Sequence, residues 1–219
     1  MRHLACLFLA AMALAGCRNA PEGESSGNHS SAAAPTPLTA PKRDGNGPFG
    51  IDLSASPDAL GASAIEGQED KGLFSLAHPP RPSSDFVDYY LVAFDDAGIC
   101  EIRAVSADFD GDTLGGTVRA TADRLAEALS SKYGKAKHSD FCGAGQVACE
   151  PQFWSMAVMN GEREYRYEWS PGTADPAVRT ILLSVQAGQF AEPYLRIDYL
   201  VNDAGKCANA ATKARANNL

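Results

Sequence analysis

Four cysteines (Cys100, Cys142, Cys149, Cys207) and two histidines (His78, His138) are the side chains of the C-terminal part best suited to chemistry. An even cysteine set fits disulfides if the chain folds in an oxidising compartment, in any of three connectivities. A metal site is the competing chemistry, because His138, Cys142 and Cys149 follow one another closely. Their H-x3-C-x6-C spacing matches no familiar zinc pattern and lacks an evident fourth ligand. Disulfides are therefore preferred, and no metal or other cofactor is expected. The expected pairs are Cys142 with Cys149, which flank a small glycine-containing loop, and Cys100 with Cys207, which would fasten the C-terminal tail to a hairpin.

Other constellations are weaker. Asp108-Phe109-Asp110-Gly111-Asp112 looks like the start of a calcium loop, but Thr113 and Arg119 stand where an EF-hand needs Gly and Glu. A turn followed by a helix cap is the preferred reading. Neither His78, beside Pro79-Pro80, nor His138 neighbours a nucleophile motif. G-x-S-x-G, S-x-x-K and a phosphate-cradling glycine loop are absent from the sequence, so no catalytic residue is assigned and the chain is not read as an enzyme. Tyr165, Tyr167 and Trp169 could anchor an interface, although sheet-core packing is the commoner use of such a stripe.

The N-terminus carries an address. Met1-Arg2-His3 is a short positive start, Leu4 to Leu14 is apolar, and Ala15-Gly16 leads into Cys17. The apolar run is shorter than the ~20 residues of a spanning helix. Leu14-Ala15-Gly16-Cys17 resembles the lipobox of bacterial lipoprotein signal peptides. The resemblance implies removal of residues 1–16, lipidation of Cys17, and firm membrane attachment through several acyl chains. Arg18, where enterobacterial lipoproteins retained at the inner membrane have Asp, implies the outer membrane, facing the periplasm.

Residues 17–48 read as the lipidated Cys and a disordered tether, rich in Pro, Gly, Ser and Ala, with Leu38 its only large aliphatic. Residues 49–219 read as a single domain. Loss of Arg2 with the signal leaves 18 basic and 27 acidic residues, a charge of −9 from the whole chain's −8. With no basic run, nucleic acid is an unexpected partner.

Positioning elements follow from periodicity. Phe49-Gly50-Ile51-Asp52-Leu53 reads as a short strand, followed by a helix with Ser56 as N-cap and Pro57 at its first position. Phe86 to Phe94 and Ile99 to Val105 flank the turn Asp95–Gly98, with Cys100, Ile102 and Ala104 on one face. Leu114, Val118, Ala122, Leu125, Leu129 and Tyr133 form the apolar stripe of a long helix, capped by Asp112 or Thr113. Pro151 to Met159 is read as helix over strand. Three more strands centre on Tyr165–Trp169, Ile181–Val185 and Leu195–Val201.

The reading is an α+β domain, an antiparallel sheet with helices packed on one face, ordered as two helix-plus-three-strand repeats. Gly50-Ile51-Asp52-Leu53 before Ser56-Pro57, Lys132-Tyr133-Gly134, Trp169 and Leu195-Arg196-Ile197-Asp198-Tyr199 carry a resemblance to small β-lactamase-inhibitor-like and outer-membrane-assembly lipoprotein domains. That resemblance implies binding to another protein rather than catalysis. The expected function is a lipid-anchored envelope protein acting as a protein-binding or assembly module. An inhibitor or immunity lipoprotein, or a periplasmic hydrolase, are the alternatives.

Overall fold

The computed structural model describes residues 45–143 and 149–217, all within the unit Pro41–Leu219. Cys17 and most of the tether lie outside the described residues. Eight strands form one antiparallel sheet: β1 Ser63–Ala64, β2 Leu73–Ser75, β3 Asp88–Phe94, β4 Gly98–Val105, β5 Lys137–Cys142, β6 Arg163–Trp169, β7 Thr180–Ala187 and β8 Pro193–Leu200. Their order is β1-β2-β3-β4-β8-β7-β6-β5. Two runs of four sequential strands thus join edge to edge through β4 and β8, where Ile102 faces Tyr199 and Ala104 faces Ile197. Helix α1 (Gly116–Tyr133) connects the halves, α2 (Trp154–Met159) lies between β5 and β6, and α3 (Ala204–Asn217) follows β8.

The fold is α+β, with α1 and α2 packed on the sheet as the periodicity requires. Leu91, Ile102, Ile181, Leu183, Leu195 and Ile197 are buried from the strands, against Val118, Ala122 and Ala126 of α1 and Trp154 of α2. Asp112 caps α1. Its carboxylate accepts from the Gly116 N–H (2.9 Å) and the Val118 N–H (2.8 Å), satisfying two donors that the helix leaves free. Pro151–Phe153 forms a 3-10 turn that runs into α2, so this stretch is helical.

Several details differ from the sequence reading. Phe49 to Leu53 is not a strand: Phe49 (φ 54) and Gly50 (φ 73) are both left-handed, which breaks the extended backbone and makes a 3-10 turn at Pro48–Gly50. Gly45 and Gly47, assigned to the tether, already donate to the carbonyls of Gly50 and Ile51. The helix expected after Ser56 is a single 3-10 turn, Asp58–Leu60, stopped by left-handed Gly61. Each half of the sheet has four strands rather than three; the short β1 and β2 and the mainly exposed β5 lack an apolar alternation and so leave no periodic signal. Leu114 is exposed ahead of α1, and Ala126 joins Val118, Ala122 and Tyr133 on its buried face.

Cys100 does not share a face with Ile102. Val92 pairs with Glu101 but Ala93 pairs with Ile99, so Cys100 is the extra residue of a bulge. Ile99 and Ile102 both reach the main core, while Cys100 turns to the opposite face. There it meets Val92, Phe94, Ala97, Cys207 and Ala210, a second small core beneath α3.

Candidate functional site

The cysteines form the two expected disulfides, Cys100–Cys207 (Cα–Cα 5.9 Å) and Cys142–Cys149 (5.5 Å). Both cysteines near His138 are thereby removed as metal ligands. Among the described residues no group of three or more His, Cys, Asp or Glu is placed to hold a metal ion. The Asp108–Asp112 segment ends in the helix cap, which occupies both Asp112 carboxylate oxygens. His78 is exposed in the β2–β3 connection.

His138 lies flat on Tyr167, with ring centroids 4.3 Å apart and planes 12° apart. The Tyr165 and Tyr167 hydroxyls donate to the same Asp123 oxygen, at 2.5 and 2.7 Å. Burial first, then the Asp123 contact, pushes Tyr165 well above the ordinary tyrosine range, which keeps its hydroxyl a proton donor. Tyr165 and Trp169 are buried in the main core and Tyr167 packs against it. The stripe therefore fastens α1 to the sheet through Asp123. It brings together no nucleophile and base.

On the opposite face, strands β4 and β8 carry a balanced charge lattice. Arg103 Nε donates to Asp198 Oδ1 (2.9 Å) and its Nη2 to Glu101 Oε1 (2.5 Å); Arg196 Nε also donates to Asp198 Oδ1 (2.8 Å). Asp198 is 5% exposed and depends on these two guanidinium groups for neutralisation. Burial pushes Glu101 above the usual carboxylate range, and nearby Asp198 adds to it, despite the opposing pull of Arg103.

The most unusual surface is the β7–β8 connection. Its 3-10 turn, Gln189–Ala191, is closed by Gly188 N–H donating to Glu192 O (3.0 Å). Within it Phe190 (φ 67) and Ala191 (φ 58) are consecutive left-handed residues, neither of them glycine. Such a conformation costs roughly 1–2 kcal/mol per residue. Phe190 is 87% exposed, so burial of its ring within the chain does not offset that cost. The turn neighbours α2, whose Met156 and Met159 are 40% and 42% exposed. Sequence reading missed this patch. The one available signal was an aromatic in a hairpin connection without the Asn-Gly or Asp-Gly that left-handed turns usually use.

Comparison with family models, with curated proteins and with solved structures gave no match to this chain.

Proposed function

We propose that this chain is a lipid-anchored envelope module, tethered through Cys17, that binds another protein by the Phe190 patch and performs no catalysis. The observation that carries the reading is Phe190, a large apolar side chain held in solvent by a strained backbone. Strain of this kind collects where a surface must be presented in one fixed shape, and aromatic and methionine side chains are favoured interface anchors. A rigid turn also lowers the entropy that binding must overcome. The tether and anchor are supported by the N-terminal sequence alone, and the outer membrane by Arg18 alone.

The test is site-specific photo-crosslinking in native envelopes. A photoreactive residue at position 190 should give one discrete protein adduct, and the same residue at exposed Ser170 should give none. Equal or diffuse labelling at the two positions would sink the reading. Mass spectrometry of the mature N-terminus tests the anchor separately: acylated Cys17 is expected, and an unmodified N-terminus would refute it.

A further inference from the structure

The face of the sheet opposite α1 and α2 is covered at one end by α3. Between α3 and the strands runs a groove of about 620 Å³, within the ~300–1,000 Å³ typical of small-molecule sites. Val92 and Phe94 of β3 and Leu200 of β8 supply apolar side chains to it. Ala204, Cys207, Ala211 and Arg215 of α3 form the wall. Steps of three and four residues keep this stripe on one helix face over about 16 Å. The Cys100–Cys207 disulfide ties the wall to the strands.

Three cations, Lys71, Arg179 and Arg215, also line the groove, in a chain whose net charge is −8. Its lining carboxylate, Glu101, is engaged by Arg103 at 2.5 Å and faces Arg196 at 3.8 Å. Arg179 reaches Asp203 at 3.5 Å across an exposed pair, and Lys71 donates to Gln68. Arg215 has no hydrogen bond or ion pair among the described residues. Arg179 thus stands at the start of α3 and Arg215 about 16 Å further along it. There Glu69 and Gly72, flanking Lys71, border Ala210 and Ala214. An anion at that end would therefore meet one free guanidinium and one weakly committed ammonium group.

The backbone narrows the occupant further. β3 is paired with β2 and β4, β4 with β3 and β8, and β8 with β4 and β7. The strands under the groove thus have no open ladder for an extended peptide to join. An acyl chain needs only apolar contact along its length and one charged group at its end. We propose that this groove binds a long-chain fatty acid, its chain lying against β3, β8 and α3 and its carboxylate held at the C-terminal end of α3 by Arg215 and Lys71.

The test uses the whole chain carrying Cys17→Ser, so that no acyl group of its own competes, titrated with the fluorescent fatty acid cis-parinaric acid. Saturable binding of one molecule per chain is expected, displaced by palmitate but not by its methyl ester. The double variant K71Q/R215Q, altered only at surface positions, should bind about tenfold more weakly or worse, with an unchanged circular dichroism spectrum. Ala211→Trp should block the groove, and Phe190→Ala should leave binding unchanged. Absence of saturable binding, equal displacement by the ester, or unweakened binding by the double variant would overturn the proposal. Displacement by an acidic amphipathic peptide but not by palmitate would overturn it in favour of a peptide groove.

Discussion

Gly115 lies directly beneath the indole of Trp154: a Cβ at this glycine would come within 2.1 Å of Trp154 Cε3. The residue also has φ +67, a conformation that side-chain-bearing residues resist. Both constraints act at the start of α1, where the helix approaches α2. Gly115→Ala should therefore destabilise the domain by about 2–4 kcal/mol. Urea unfolding checks this. Combined with Trp154→Leu the loss should fall short of the sum of the two single losses, because the shorter side chain relieves the overlap.

Asp112 accepts from two N–H groups of α1 and also marks the end of the acidic loop. Asp112→Ala should cost about 1–2 kcal/mol as a lost cap. Unfolding midpoints of wild type and variant should respond alike to calcium or a chelator. A calcium-dependent midpoint in the wild type, lost in the variant, would show that the loop binds the ion.

The two disulfides constrain very different lengths of chain, separations of 107 and 7 residues. In the chain-entropy model their removal costs about 4.8 and about 2.4 kcal/mol respectively. Cys100→Ala/Cys207→Ala should be the more destabilised pair, and hydrogen exchange should show faster exchange across α3 in that variant. The opposite ranking would mean that residual structure in the unfolded chain dominates.

Phe190 and Ala191 are strained without a burial reward. Phe190→Gly should raise unfolding stability by about 1 kcal/mol, since glycine adopts a positive φ without the Cβ clash. The same change should abolish crosslinking to a partner from a photoreactive residue placed at the neighbouring exposed Met159. A loss of stability would mean that the phenyl ring packs more than its exposure indicates.

Glu101 should leave a signature in the pH dependence of stability. Its carboxyl is raised in the folded protein, chiefly by burial. The folded state therefore holds this proton to higher pH than the unfolded chain does. Between the ordinary carboxylate range and the raised value, its contribution falls as pH rises. Urea midpoints followed from about pH 4 to pH 7 should carry a downward component in the wild type that Glu101→Gln lacks. Parallel profiles would contradict the shift.

Strongly periodic elements were legible in the sequence. The stripe through Val118, Ala122 and Leu125 marks α1, and alternation at Leu195, Ile197 and Tyr199 marks β8, because each buries one face against a large core. The cysteine pairs were legible from spacing and from the turn before Cys207. The helix that carries Cys207 was not assigned, although Ala204 to Asn217 is rich in alanine, the best helix former. Its apolar stripe is thin, since α3 covers only the small core around Cys100 and Ala210.

By itself the sequence determined an antiparallel α+β domain and most residues of its main core, because burial at a fixed period needs no knowledge of distant contacts. Only the tertiary structure decided which face each special residue would serve. The bulge opposite Val92 and Ala93 moved Cys100 out of the helix-covered core, and a one-residue slip in register reverses every side chain that follows. Left-handed backbone at Phe49 broke an apparent strand, and at Phe190 it pushed an aromatic ring into solvent. Neither conformation is written in residue type, since non-glycine residues take it up only when surrounding contacts outweigh its cost.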